Sequence, residues 1–289
     1  MRRRSTRNGP ARCWDRRRSA TSLAGVTGAG ARTDDLQLAS ELVRQAGELA
    51  AKMLAEGLET RHKTSISDVV SDADHAAEEL VTDRLIAERP DDGLVGEEGA
   101  RRRPAAGNAE RTWYIDPVDG TYNFLSKLGI WCSAVGLTDA DGLVLGAVYH
   151  PFADELWVGG RNVPTSCNGV PVEPLQDAPL ATLSIGSYLP PARLRPDALP
   201  TIAPLLNAIS GAATVRVIGS GSIELASVAG GRIGASLHAG TLPWDWIPGA
   251  ALVEAAGGVA RVVEHAGQRW HVAGNAYAVD EISSALIQH

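Results

Sequence analysis

Two carboxylates three residues apart, Asp116 and Asp119, lie in Trp113-Tyr114-Ile115-Asp116-Pro117-Val118-Asp119-Gly120-Thr121-Tyr122-Asn123-Phe124, directly after an apolar run that reads as a strand. Pro117 fixes one backbone angle and removes a donor, while Gly120 permits close backbone approach, so both side chains can turn toward a common point. Carboxylate oxygens are hard ligands that suit magnesium or manganese. Gly120 and Thr121 offer backbone N–H groups and a hydroxyl to phosphate oxygens, especially if a helix begins there. Upstream, Gly96-Glu97-Glu98-Gly99 follows the apolar Leu94-Val95 and brings one or two further acids to the same ends of the sheet. Downstream, Asp245 precedes an expected helix from Ile247 whose Gly249, Ala250 and Ala251 allow close packing, and it is placed to complete a second cation's shell. Taken singly, each acid could equally be a turn or capping residue.

Other chemistries find less support. The seven histidines have no spacing suited to a shared zinc site. No Ser or Cys sits in a nucleophile elbow, and Gly219-Ser220-Gly221-Ser222 lacks the Lys-Ser/Thr of a P-loop. Cys13, Cys132 and Cys167 are odd in number and widely spaced, which argues against a disulfide framework and makes a reducing cytoplasm the expected compartment.

The elements that must position these acids follow from periodicity. Apolar residues recur at helical spacing from Asp34 to Met53, and a second helix is expected over Asp72 to Glu88, which puts Asp74 in a first turn where a carboxylate is favoured. Strands are expected over Thr112–Ile115, Trp131–Thr138, Leu143–Tyr149, Leu156–Val158, Leu183–Ile185 and Val215–Ile218, the second and third joined by a tight turn at Asp139 to Gly142. A helix near Leu199–Ile209 and an alternating helix and strand pattern from Ser222 to Ile287 complete the chain, with strands at Ile233–Leu237 and Val259–Val263. Mixed sheets covered by helices, an α/β class, bury such a pattern economically.

With 44% hydrophobic and 21% charged residues over 289 positions, the composition is that of a soluble globular protein large enough for a sizeable core. No apolar run reaches the ~18 residues that would span a bilayer. Charge is uneven: residues 1–33 hold nine arginines and one acid, about +8, leaving about −15 for the rest. Residues 1–33 read as a disordered Arg-rich tail, with an export signal or a nucleic-acid-binding arm as sharper but poorer fits, and residues 34–289 as one folded domain. An acidic body repels a phosphate ester unless bound cations intervene.

The motifs Gly96-Glu97-Glu98-Gly99, DPVDGTYNF from Asp116 and WDWIPGAALVEAAGG from Trp244 resemble, in order, the three signature regions of the inositol monophosphatase family. The resemblance covers roughly Lys63 to Gly258 and implies a layered αβαβα sugar-phosphatase fold with magnesium-dependent, lithium-sensitive phosphomonoesterase activity. By position it assigns Glu97, Asp116 and the Val118 carbonyl to one metal, and Asp116, Asp119 and Asp245 to a second. A third, weaker ion would lean on Glu97, and manganese is a possible substitute. Gly120 and Thr121 resemble the phosphate-binding pair, and Asp74 with Thr121 the pair that positions the attacking water. Lys63 resembles a residue of a mobile entry loop, and Ser220 and Gly221 line the substrate by the same alignment. A homodimer acting on a small phosphorylated metabolite is implied, with no membrane or nucleic-acid partner.

One departure bears on the substrate. Where inositol-preferring members carry a glutamate that binds sugar hydroxyls, this chain has His238, which can bind hydroxyls or favour a more anionic ligand. Trp246-Ile247-Pro248 is also bulkier than usual and is expected to narrow the pocket. Inositol 1-phosphate is the first candidate substrate; histidinol phosphate, fructose 1,6-bisphosphate and adenosine 3′,5′-bisphosphate are its rivals. A catalytically silent regulatory or RNA-associated protein that keeps the fold is the competitor from another class.

Overall fold

The computed structural model describes residues 33–57, 60–62, 69–108 and 110–288. The Arg-rich tail, apart from Thr33, and Lys63 lie outside the described residues.

The first helical period becomes α1 (Thr33–Glu56), whose stripe of Leu42, Val43 and Ala46 is fully buried. A short antiparallel pair, β1 (Thr60–His62) and β2 (Val69–Ser71), leads into α2 (Asp72–Glu88). Strands β3 (Gly93–Gly96), β4 (Arg101–Arg102) and β5 (Thr112–Asp119) precede a short helix, α3 (Thr121–Leu125). A meander follows: β6 (Cys132–Asp139), β7 (Gly142–His150), β8 (Glu155–Gly160), β9 (Val163–Cys167) and β10 (Val170–Pro171). The second half comprises β11 (Ser184–Ser187), α4 (Leu199–Ser210), β12 (Thr214–Arg216), α5 (Gly221–Ala229) and β13 (Ala235–Ala239). It closes with α6 (Pro243–Ala255), β14 (Val259–His265), β15 (Gln268–Gly274) and α7 (Ala276–Ile287).

Eight strands form one sheet in the order β10-β9-β8-β7-β6-β5-β3-β4, and five form another in the order β12-β11-β13-β15-β14. Three of the four hydrophobic cores among the described residues lie between the five layers, in line with the αβαβα expectation. Leu42, Val81 and Leu85 of α1 and α2 meet Trp113, Leu137 and Leu145 on the outer face of the larger sheet. Leu225, Val228, Leu252 and Val253 of α5 and α6 fill the space between the sheets, against Ala134, Val148 and Ala273. Leu205, Val279 and Ile282 of α4 and α7 cover the outer face of the smaller sheet against Ile185, Leu237 and Trp270.

The structure moves several expected boundaries. The strand expected from Ile233 begins at Ala235, and the helix expected from Ile247 begins four residues earlier at Pro243. Proline suits a first helical position because its missing N–H is not needed there. β15 was not anticipated, although it lies inside its sheet between β13 and β14: Trp270 and Val272 face one core while His271 interrupts the apolar pattern of the other.

Candidate active site

Residues three apart on a regular strand face opposite sides of a sheet. β5 departs from that rule, because its pairing with β6 passes from Asp116↔Ala134 to Asp119↔Cys132, three steps against two. The surplus residue is a β-bulge, a feature that re-aims side chains. Pro117, with no N–H to lose, sits within it, and its carbonyl accepts the Ser133 hydroxyl at 2.6 Å. One carboxylate oxygen from each of Asp116, Asp119 and Asp245 now lies within 4.8 Å of the others.

Asp245 reaches this point from the first turn of α6. The helix is drawn onto the larger sheet at Gly136 and Gly146, neighbours across β6 and β7, where an added Cβ would strike Ile247 or the Pro248 backbone. The bulk of Ile247 and Pro248 is thus taken up by two glycines of the sheet, not by the pocket as expected. On the other side Gly249 admits Leu225, so α5 and α6 pack closely. α5 begins at Ser220, whose hydroxyl caps the Ile223 N–H at 3.3 Å. The N–H groups of Gly221 and Ser222 donate to Asp119 at 3.2 and 2.5 Å, so this carboxylate sits at the positive end of α5.

These acids strain the electrostatics of the site. Burial, then the charges of Glu97 and Asp119, push the Asp116 carboxyl well above the usual range. Burial also raises Asp119, opposed chiefly by the Ser222 N–H, and raises Asp245 to about 7 with the help of the Asp119 charge. No N–H or hydroxyl of the described residues reaches either oxygen of Asp116, which is only 1% exposed. Buried polar groups are otherwise hydrogen-bonded almost without exception. An oxygen-only cluster of this kind fits a hard divalent cation, which would supply both the missing partner and the missing charge.

The remaining expected residues are placed as follows. Glu97 is half-buried after β3, its N–H bonded to the Ile115 carbonyl at 3.1 Å, and its charge acts on Asp116. The Thr121 hydroxyl lies 3.0 Å from the Val118 carbonyl and 3.3 Å from Asp74 Oδ1, and Asp74 is fully buried in the first turn of α2. Gly120 has φ 96°, and a Cβ there would crowd Gly219 O, Ile130 O and Ser220 Cβ, so the loop before α5 closes directly over it. Gly221 faces Asp245 and Asp119. His238, near the end of β13, feels the charges of Asp245 and Asp119.

Three contributors escaped the sequence reading. Ser222 holds Asp119 through its backbone, which leaves no trace in residue type. Glu224 meets His238 across the fold. Glu78 lies one helical turn beyond Asp74 on α2, and that spacing was a usable signal.

The sequence pattern of the inositol monophosphatase family matches residues 32–286. Human inositol monophosphatase 2 is 32% identical over 240 residues, 80% of this chain and 81% of that one. Inositol-1-monophosphatase of Bacillus subtilis is 28% identical over 230 residues, 79% of this chain and 85% of that one. Inositol monophosphatase from Anabaena superposes with a TM-score of 0.72 at 26% identity, covering 88% of this chain and 95% of that one. Since the family pattern runs through every element that builds the acidic cluster, the chain belongs to the inositol monophosphatase family, a family of metal-dependent phosphomonoesterases.

Proposed function

We propose that the chain hydrolyses a small polyol phosphate in a magnesium-dependent reaction, with inositol 1-phosphate as the first candidate. The pair of buried Asp116 oxygens without a donor among the described residues carries this reading. Asp116, Asp119 and Asp245 would hold one magnesium ion, and Glu97, Asp116 and the Val118 carbonyl another, with a third weaker ion on Glu97. Bound there, magnesium supplies charge neutralisation for the phosphoryl group and acidifies the attacking water. Manganese would substitute and lithium would inhibit.

The protein's own part is positioning. Thr121 has one hydroxyl proton for two nearby acceptors, Val118 O and Asp74 Oδ1, and its lone pairs remain available to orient a water. Asp74, fully buried beside it, would take up the water's proton by relay, as Thr121 gives its own hydroxyl proton to Asp74 and receives one from the water. Gly120 and Thr121 at the start of α3 offer N–H groups to the phosphate, while Ser220, Gly221 and His238 border the substrate. Lys63 would approach from the entry loop.

Phosphate release from inositol 1-phosphate, histidinol phosphate, fructose 1,6-bisphosphate and adenosine 3′,5′-bisphosphate, with magnesium and with chelator, tests the reading. One dominant magnesium-dependent substrate is expected; no release from any would defeat it. Removing residues 1–32 should leave turnover unchanged, which separates the enzyme from an RNA-associated role for the tail. A cytoplasmic homodimer is part of the proposal. Among the described residues no helix is long and apolar enough to cross a membrane, and Cys132 and Cys167 are buried and form no disulfide. Phe152, 80% exposed over Gly129 and beside Leu128, would be covered by the second copy. Light scattering on Phe152→Asp, expected to be monomeric, checks that.

A further inference from the structure

The two faces of β5 change places between Ile115 and Val118. Trp113 and Ile115 lie in the core under α1 and α2, so plain alternation would send residues 117 and 119 the same way and turn Asp119 toward the helices. Asp119 shares the opposite face with Asp116 instead, since their partners on β6, Cys132 and Ala134, both belong to the core between the sheets. Val118 takes the vacated place, packed with Ala50 of α1, Ala73 of α2, Phe124 and Trp131. The convergence of the two carboxylates therefore depends on the bulge staying where it is.

A bulge interrupts the ladder and leaves backbone groups to be satisfied by other means. Pro117 has no N–H, and its carbonyl is met by Ser133, the residue of β6 that the pairing skips, whose hydroxyl donates at 2.6 Å. Serine is out of place in that row. Val135 and Leu137, two and four residues on along the same face, are core residues, whereas Ser133 buries a hydroxyl to 1% exposure. Such burial is costly unless the hydroxyl is bonded, and its bond goes to the bulge. Ser133 is itself held firmly. It pairs with Tyr149 in the regular register of β6 and β7, and Gly47 of α1 lets the helix close over it: a Cβ there would lie 3.4 Å from Ser133 Oγ and 2.8 Å from the Tyr149 ring.

We propose that Ser133 is a positioning residue for the metal cluster: its hydroxyl pins the bulge of β5 at Pro117 and so keeps Asp116 and Asp119 on one face. Without that bond the Pro117 carbonyl is a buried acceptor with no donor, and the bulge is released to shift along the strand. Only the fraction of molecules with the bulge in place then binds the cation, and the apparent dissociation constant rises by the inverse of that fraction. The inference rests on the magnesium reading above.

The test is calorimetric titration of the substrate-free full chain with magnesium, for wild type, Ser133→Ala, Ser133→Thr and Ser133→Cys. Ser133→Ala should raise the magnesium dissociation constant by about tenfold, the scale of one buried hydrogen bond. Ser133→Thr keeps the hydroxyl on a residue suited to a strand and should stay within about threefold of wild type. Ser133→Cys, a weaker donor of similar shape, should fall between them and serves if Ser133→Ala does not fold. Asp35→Ala, which breaks the buried pairing of Asp35 with Arg89 and Arg111, is the control for lost stability and should bind magnesium as wild type does. A Ser133→Ala protein that melts lower in chelator yet binds magnesium with unchanged affinity overturns the inference, because the hydroxyl then serves stability alone. An equal loss of affinity in Asp35→Ala overturns it as well, since affinity would then follow global stability. A wild type that binds no magnesium overturns the metal-dependent reading and this inference with it.

Discussion

Glu78 accepts the backbone N–H groups of both Glu98 and Ala100, each at 2.8 Å. Its carboxyl group occupies the space beside Gly96 where any Cβ would collide with it. The turn that presents Glu97 is therefore clamped by α2, the same helix that carries Asp74 one turn earlier. One rigid element thus sets two parts of the site. Glu78→Gln keeps the shape but turns an NH2 toward one backbone donor, leaving that N–H unsatisfied at a cost of about 1–3 kcal/mol. We expect magnesium half-saturation to rise several-fold with a smaller change in kcat, measured by magnesium titration of phosphate release. An unchanged magnesium requirement would leave Glu78 a purely structural role.

Asp119 accepts the α5 amides and, in the proposed site, would also hold a cation. Asp119→Asn retains an oxygen for one N–H but loses the charge, and Asp245→Asn loses charge without that constraint. Both should cut turnover by roughly three orders of magnitude, since each would remove charge from the proposed metal shell that would neutralise the phosphoryl group. Steady-state kcat in folded protein decides this, and near-normal turnover in both would refute the site.

Much of this arrangement was legible beforehand because periodicity and motif spacing are local. α2 was read to the residue, and the hairpin at Asp139 to Gly142 followed from turn chemistry. What escaped depends on partners distant in sequence. The bulge that brings Asp116 and Asp119 together is a property of β5 pairing with β6, and the Glu224 niche needs Gly186, Ser236 and His238 from two other strands. The helix expected from Ile247 starts at Pro243, a residue that suits a first helical position but carries no apolar period to mark it. Local pattern does not say which distant residues meet across strands or where a bulge interrupts a pairing.

Away from the site, Asp35 is fully buried and bonded to Arg89 at 2.8 Å and Arg111 at 2.9 Å. Arg111 also pairs with Asp92, which takes the Trp113 indole N–H at 2.7 Å. The network ties the start of α1 to the end of α2 and to β5. Removing one partner leaves buried charge uncompensated, so Asp35→Ala should destabilise by about 3–5 kcal/mol. Denaturant unfolding measures the loss, and kcat well below the melting temperature should stay within about twofold because the network does not touch the acidic cluster.

The acidic cluster makes stability depend on both pH and metal. Asp116, Asp119 and Asp245 all have folded-state pKa values above those of an unfolded chain, Asp245 at about 7. In the metal-free protein the folded state therefore binds more protons than the unfolded state between about pH 4 and 7, and stability falls as pH rises through that window. Each proton of difference contributes a slope of about 1.4 kcal/mol per pH unit. Magnesium bound as proposed would reverse the balance, since it would take the ionised carboxylates and displace their protons. Thermal melts in chelator should fall steadily from pH 5 to pH 7.5, while melts in saturating magnesium should be flatter and higher at the alkaline end. Addition of magnesium to weakly buffered protein at pH 6.5 should release protons. A chelated protein whose melting temperature is flat or rises across that range would mean that the carboxylates are already compensated within the fold and are not waiting for a cation.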